Sequence, residues 1–380
     1  MTSPSAIVYL AGTRWEGVAG TDRRLVTAIG ERVPVLWVDP PFSFATRRRG
    51  GGKEENRAGR STVAPGVSRL QTLVLPGASR PGMRVVTRRL LERSIRSALR
   101  SSGASVLAVI VASPRESFPC GVAGVRVLYV TDDWIAGAEM MGLPAAHLAA
   151  GLERNVREAD VVAAVSPDLA ARLEGRFGVA VQVLANGCDP VEPDAATPPP
   201  PDDVAGLIGQ LNERLDPAVL EAVRAGGTRL VVIGPRTDRQ PQARESLDRI
   251  LAADGVTWHG EVPSTELPRH LERMGVGLTP YSDTEFNRAS FPLKILEYLA
   301  NGLPVVSTDL PAVRWLNTDL IEVGTDPEDF ARRVRKVLSR PFDGEERLRR
   351  IAFARTHSWR ARADQLLAIV REARQRPPLR

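Results

Sequence analysis

Short apolar runs separated by segments of helical period recur along almost the whole chain, and no other feature limits its fold so strongly. The runs are AIVYLAG (6–12), PVLWVDP (34–40), LQTLVLP (70–76), VLAVIVAS (106–113), RVLYVTDD (126–133), DVVAAVS (160–166) and VQVLANG (181–187). After a break they resume as VAGLIGQL (204–211), RLVVIGP (229–235), GVTWHG (255–260), VGLTPYS (276–282), PVVSTD (304–309) and DLIEVG (319–324). Each is too short for a helix, and several are apolar at nearly every position, as strands buried on both faces are. Helical period fits 82–100, 144–158 and 167–178, then 216–225, 242–253, 264–274, 293–301, 326–339, 343–355 and 358–375. Such alternation predicts parallel sheets covered by helices on both faces.

The break itself, PVEPDAATPPPPDD (190–203), is dense in proline and nearly devoid of apolar side chains, so it reads as an interdomain linker. It divides the chain into a first domain (1–189), a second (204–357) and a last helical segment (358–380) expected to cross back to the first. Residues 45–69, rich in glycine and charge, are expected to form a mobile loop. The length of 380 residues supports two cores, and 43% hydrophobic with 25% charged residues describes a globular protein. Two cysteines give no disulfide framework, four scattered histidines give no metal-ligand spacing, and no apolar run is long enough to span a membrane. AIVYLA is too short for a signal peptide and lacks a basic lead, so a cytoplasmic location is expected. No Walker A, G-x-G-x-x-G or G-x-S-x-G pattern sits where its chemistry would need it.

The most informative stretch is SFPLKILEYLANGLPVV (290–306). Pro292 suits a first helical turn, Ser290 can cap it, and Gly302 with Pro304 ends the helix. Leu293, Leu296 and Leu299, with Ile295, make an apolar stripe. Lys294, Glu297 and Asn301 share another face. A helix N-terminus with an ammonium one turn away attracts phosphate, and a carboxylate further along can accept sugar hydroxyls. The alternative is an ordinary surface helix carrying a weak Lys–Glu pair.

FPLKILEYLANGLPVVSTD resembles the donor-site signature of GT-B glycosyltransferases, close to glycosyltransferase family four. ADVVAAVSPDLAARL (159–173), VLANGCD (183–189), GLIGQLNERLD (206–216) and GVTWHGEVPSTELPRHL (255–271) match in the same order. The resemblance implies a GT-B fold, two Rossmann-like doubly wound α/β domains facing a cleft. It also implies a UDP-, GDP- or dTDP-linked sugar as donor, transferred to a hydroxyl-bearing acceptor, with no cofactor and no metal. Glu297 would bind the ribose. Lys294, the backbone of Ser290, Phe291, Pro292 and Leu293, and Arg214 would meet the diphosphate. Gly209 would let the backbone approach the phosphates, and the base would lie against the 259–262 turn, including Gly260 and Val262. One departure stands out: many family-four enzymes carry a glutamate eight residues before the ribose-binding one, where this chain has Ala289. Similar sequences occur among bacterial enzymes that build surface polymers and specialised metabolites.

The acceptor side rests on AGTRWEGVAGTDRRL (11–25), which resembles an acceptor-facing loop and includes Gly12, Thr13, Arg14, Trp15 and Arg23. Asp132 and Asp133, ending a buried strand, are candidate general bases, as is Glu16. One of the two aspartates could instead cap the next segment. If configuration is retained, the leaving diphosphate can take the proton itself. RPGMRVVTRRLLERSIRSALR (80–100) holds seven arginines and one acid, with Val86, Leu90, Leu91, Ile95 and Leu99 as its apolar stripe. It could dock on an anionic membrane, or cover the sheet with a solvated arginine face. Nucleic acid is not expected as a partner, because no recognition motif accompanies the net charge of +6. The other reading of the chain is a GT-B-shaped nucleotide-sugar-binding protein, an epimerase or a phosphorylase.

Overall fold

The computed structural model describes residues 5–17, 20–43, 58–77, 81–192, 202–263 and 265–375. The chain divides into two compact units. One comprises the chain up to Val165, Leu169–Ala185 and the run from Trp359; the other comprises Ser166–Asp168 and Asn186–Ser358. Most of the expected linker, 193–201, and residues 44–57 of the expected loop lie outside the described residues.

The first unit contains β1 (Ser5–Ala11), α1 (Thr21–Gly30), β2 (Val35–Val38), β3 (Phe42–Ser43), β4 (Gly59–Ala64), β5 (Val67–Gln71) and β6 (Leu73–Val74). It continues with α2 (Pro81–Ser102), β7 (Ser105–Ala112), β8 (Val125–Val130), α3 (Ala138–Met141), α4 (Ala145–Glu158), β9 (Val161–Ala164), α5 (Pro167–Phe177) and β10 (Val181–Val183). Its main sheet runs β10-β9-β8-β7-β1-β2-β5-β4, parallel except for the β4–β5 pair. The strand order reverses between β1 and β7, where ligand crevices form in open α/β sheets.

Two expectations fail here. Residues 59–71 are not part of a mobile loop but a hairpin, turned at Pro65-Gly66. Gly66 has φ of +68° and packs on the Gly30 carbonyl so closely that a Cβ would lie 2.0 Å from that oxygen. Residues 21–25, read as loop, open α1, whose Leu25, Val26, Ala28 and Ile29 are buried. Three charged residues in its first turn hid the apolar face.

The second unit contains β11 (Val204–Ile208), α6 (Pro217–Ala225), β12 (Arg229–Ile233), α7 (Pro241–Leu251), β13 (Val256–Trp258), α8 (Leu267–Glu272) and β14 (Val276–Thr279). Then follow α9 (Glu285–Ala289), α10 (Leu293–Ala300), β15 (Val305–Thr308), α11 (Pro311–Leu316), β16 (Ile321–Gly324), α12 (Pro327–Leu338) and α13 (Gly344–Thr356). The final helix, α14 (Trp359–Gln375), belongs to the first unit. There Arg32 of α1 pairs with Asp364, and Gln365 donates to the Val183 carbonyl at 2.8 Å. Several helices of the second unit start as the sequence dictates. Asp216 accepts the Ala218 and Val219 N–H groups ahead of Pro217, and Asp326 accepts the Asp329 N–H ahead of Pro327.

The second sheet is wholly parallel in the order β13-β12-β11-β14-β15-β16, the doubly wound pattern, and reverses between β11 and β14. Gly206 and Gly277 face each other across that junction. Their missing side chains are required: a Cβ on Gly277 would lie 2.3 Å from the Tyr298 ring, and one on Gly206 would strike Met274. Tyr298, fully buried on α10, lies over this bare patch. Its hydroxyl accepts the Ile208 N–H at 2.9 Å and reaches the Gly206 and Leu278 carbonyls at 3.1 and 3.3 Å. It completes backbone hydrogen bonding where β11 and β14 part, and thereby fixes α10 over the junction. Removing the hydroxyl would leave a buried N–H without an acceptor, so Tyr298→Phe is expected to destabilise the protein by about 1–3 kcal/mol. Urea unfolding measures this, and an unchanged midpoint would show that the hydroxyl anchors nothing.

Candidate functional site

Helix α10 presents its N-terminus at the β11/β14 junction. Lys294 Nζ lies 2.6 Å from Glu297 Oε2; Glu297 is 7% exposed and the lysine side chain 25%. The pair belongs to a helix buried on almost every face, with Ile295, Leu296, Tyr298, Leu299 and Ala300 all inside. A solvated surface helix is therefore excluded, and the apolar stripe expected from the sequence was too narrow. An ionic pair on a buried helix next to a strand junction is costly to desolvate unless something uses it.

Gly209, just beyond β11, has φ of +121°, and a Cβ there would lie 3.0 Å from Lys294 Cε. Gly234, just beyond β12, packs on the Gly209 carbonyl, and its N–H donates to the Gly260 carbonyl at 2.7 Å. Gly260, Gly234, Gly209 and Lys294 thus form one row of close backbone and side-chain approaches. Trp258 Nε1 donates to the Gly234 carbonyl at 3.0 Å, and Val262 is half-buried two residues past Gly260. The structure brings Gly209, Gly260, Lys294 and Glu297 together; Gly234 is an addition that only its place after a strand could have signalled.

The approach to α10 differs from the sequence reading. Ser290 does not cap α10. It ends α9, with its N–H and its hydroxyl both donating to the Phe286 carbonyl, at 3.0 and 2.8 Å. It therefore offers neither group to an anion. Pro292 is the N-cap residue and makes no side-chain cap. Phe291 is buried, stacks edge-on against Trp315, and its carbonyl accepts from Asn186 at 3.2 Å. The Phe291, Leu293 and Lys294 N–H groups make no hydrogen bond within the described residues, as at other helix starts. Arg214 follows β11 on its loop. Its Nε donates to Asn287 Oδ1 at 2.9 Å, and its guanidinium lies 5.0 Å from the Tyr281 ring centre and 5.1 Å from that of Phe286.

In the first unit the loop after β1 is tightly folded. A Cβ on Gly12 would lie 3.2 Å from the Ala112 carbonyl of β7, so glycine sits at the strand-order reversal. Thr13 is exposed, Arg14 lies over Phe42, and Trp15 packs edge-on against Trp37. Arg23, now on α1, covers Trp15 and donates to its carbonyl at 3.1 Å. Beneath the loop, buried Asp39 accepts from Arg69 Nε at 2.7 Å and Trp37 Nε1 at 2.7 Å.

These contacts sort the three candidate bases. Glu16 accepts from Arg69 at both oxygens. Asp133 caps the turn after β8, accepting the Ile135 and Ala136 N–H groups at 3.2 and 3.0 Å, with Arg172 3.7 Å away. Both carboxylates thus make structural contacts, and Asp133 is the aspartate that caps the next segment. Near Asp132 lies another carboxylate, which the sequence reading placed in the loop after β1. Asp22, in the first turn of α1, accepts the Tyr9 hydroxyl at 2.6 Å. Burial pushes its pKa from 3.8 up to about 6, against the hydrogen bonds from Tyr9 and Gly12, and the Asp132 charge adds to the rise. Among the described residues no group of three or more His, Cys, Asp or Glu could hold a metal ion, and no helix is long and apolar enough to cross a membrane.

Residues 208–340 match the model of the family described as "Glycosyl transferases group 1". A putative teichuronic acid biosynthesis glycosyltransferase of Bacillus subtilis (strain 168) is 30% identical over 169 residues. That match takes in 43% of this chain and 42% of the relative, so the chain aligns with less than half of that protein's length. Over 97% of its length the chain superposes on sucrose-phosphate synthase from Thermosynechococcus elongatus (98% of that chain, TM-score 0.68, 16% identity). It superposes similarly on a UDP-forming trehalose-phosphate synthase from Burkholderia vietnamiensis (98% and 99% covered, TM-score 0.66, 13% identity). The same holds for Anabaena HepE, solved with UDP and glucose (96% and 99% covered, TM-score 0.64, 14% identity). The fold is GT-B, as the sequence resemblance implied, and the family match falls on the unit that carries Lys294 and Glu297.

The raised pKa of Asp22 has a stability consequence with a definite sign. A carboxyl that holds its proton more tightly in the folded state contributes stability below its unfolded value of 3.8, and that contribution is lost as pH rises through about 6. Asp22→Asn is therefore expected to raise the melting temperature above pH 7 and to leave it unchanged near pH 4. Scanning calorimetry at the two pH values checks this. An equal effect at both would show that Asp22 is not desolvated.

Proposed function

We propose that the chain is a glycosyltransferase that moves a sugar from a nucleotide-diphosphate donor to an acceptor hydroxyl. The observation that carries the reading is the Lys294–Glu297 pair, desolvated at the head of α10 and set against Gly209 at the strand-order reversal. A diphosphate accepting from the open N–H groups of Phe291, Leu293 and Lys294 would draw the ammonium off Glu297. Arg214 supplies a second cation. The carboxylate so released would accept the ribose hydroxyls. Binding thus exchanges one ion pair for two better-placed interactions rather than exposing a bare charge. The donor carries its own leaving group, so no cofactor is assigned. UDP, GDP and dTDP stand as candidate leaving groups.

Asp132, with Asp22 at its side, is the proposed base. The acceptor oxygen attacks the anomeric carbon, its proton passes to the carboxylate, and the bond to the diphosphate breaks with the electron pair leaving on phosphate. Cationic stabilisation of that departing diphosphate is the larger catalytic contribution. Lys294→Ala is expected to lower kcat by about 10²–10³-fold, the usual loss for one preorganised transition-state donor. Glu297→Ala should chiefly raise the donor KM, and Asp132→Asn should lower kcat without changing donor KM. Nucleoside diphosphate release from a donor panel, with and without acceptor, measures all three. Turnover near that of the unaltered enzyme in Lys294→Ala would remove the phosphate role, and hydrolysis or epimerisation without acceptor would favour the non-transferring alternative.

The location proposed is cytoplasmic, with peripheral contact to an anionic membrane through α2. Leu91, Ile95 and Ala98 bury the second half of this helix, as a sheet-covering helix should. Val86, expected in that buried stripe, is instead 38% exposed and Val85 52% exposed, beside exposed Arg84, Arg89 and Arg93. Each basic side chain near an anionic surface is worth about 1 kcal/mol. Replacing Arg89 and Arg93 by glutamine and Val85 by serine is expected to reduce flotation with phosphatidylglycerol vesicles by an order of magnitude or so. Unchanged flotation would leave α2 as a cover for the sheet alone.

A further inference from the structure

Arg214 is held in place by uncharged groups. Its Nε donates to Asn287 Oδ1, the faces of Tyr281 and Phe286 flank the guanidinium, and no carboxylate pairs with it among the described residues. Other arginines of the same unit are neutralised: Arg236 pairs with Asp238 and Asp248, and Arg333 with Asp329 and Glu322. The Nη groups of Arg214 make no hydrogen bond within the described residues, so both ends of the fork stay open.

Asn287 is 1% exposed and fully engaged. Its Nδ2 donates to the Arg214 and Ser282 carbonyls, each at 2.9 Å, and its N–H is capped by Thr284 Oγ1 at 3.2 Å. Three neighbours fix which end of the amide is which, because a reversed amide would set its oxygen against two carbonyls and its NH₂ against a guanidinium N–H. The side chain therefore grips both the backbone and the head of the same arginine.

We propose that Asn287 is a positioning residue that fixes the Arg214 guanidinium for a diphosphate while leaving its positive charge uncancelled. The inference rests on the donor-site reading above. A carboxylate at position 287 would cancel the arginine's charge before the ligand arrives and would set an oxygen against the Arg214 and Ser282 carbonyls. An alanine would leave the charge but free the rotamers, so that binding would have to order them. The amide gives orientation without neutralisation, and the two rings pack against the planar fork and partly desolvate it.

Calorimetric titration of the full-length protein with inorganic pyrophosphate, uridine, UDP, GDP and dTDP tests the inference. Asn287→Asp is expected to weaken pyrophosphate about tenfold at pH 8, or ~1.4 kcal/mol. That loss should vanish in an Arg214→Ala background, where no guanidinium charge is left to cancel. Nucleoside affinity should not move. Asn287→Ala should weaken pyrophosphate about threefold, and this effect should vanish in an Arg214→Ala background. An undiminished effect of either substitution without Arg214 would reduce Asn287 to a structural support and overturn the inference. So would failure of the unaltered protein to bind pyrophosphate. If pyrophosphate binds with this dependence but no nucleoside diphosphate binds more tightly, the donor reading fails and the role of Asn287 stands.

Discussion

The second unit depends on a single unfilled place in its sheet. Where β11 and β14 part, their backbones can no longer satisfy each other, and a buried N–H without an acceptor is among the more expensive defects a core can hold. Tyr298 supplies the acceptor, Gly277 makes room for its ring, and the facing Gly206 makes room for Met274. The consequence is positional. Lys294 stands one turn before Tyr298 and Glu297 immediately before it, so the constraint that seats the tyrosine also delivers the ion pair to the junction. A doubly wound sheet opens at its reversal for topological reasons. Here the same opening is what orients the helix bearing the charged groups.

The two candidate regions manage charge in opposite ways. Around Arg214 the protein supplies orientation from an amide and two rings, and among the described residues no carboxylate pairs with it. Around Arg69 it supplies two carboxylates, Asp39 and Glu16, and the guanidinium becomes a buried strut beneath the loop after β1. Both arginines follow or lie in strands and both are at least partly buried. What separates them is whether an acid stands opposite, which is a property of folded neighbours and not of local sequence. A motif search sees two arginines; the structure sees one discharged and one poised.

The fold was largely legible in the sequence because its signals are local. Buried parallel strands are apolar at consecutive positions, and Asp216 and Asp326 announce their helices by standing before a proline. Lys294 and Glu297 were legible for the same reason, being three residues apart on one helix. Ser290 was misread because a serine before a proline serves equally as the first cap of one helix or the last residue of another, and α9, only five residues long, was not foreseen. The β4–β5 hairpin was missed although Pro65-Gly66 marks its turn, because the charge of residues 45–60 dominated the window. Asp22 and Asn287 were out of reach for a deeper reason. Their roles arise from partners 13 and 73 residues away, Tyr9 and Arg214, and only packing reveals such pairs.

Asp22 sits where the fold would do better without its charge. A carboxylate in the company of Tyr9 and Tyr129, with another carboxylate nearby, is less comfortable ionised than in water, and its raised pKa expresses that discomfort. Stability alone would favour asparagine, which keeps the contact to Tyr9 and carries no charge. Asp133 accepts backbone N–H groups, and Glu16 accepts from Arg69. An acid whose environment stabilises the anion has little affinity left for a substrate proton, whereas one held near neutrality can take a proton and give it up again. On the proposed reading, an acceptor hydroxyl would find its base at Asp132, next to a carboxyl whose pKa burial raises towards neutrality.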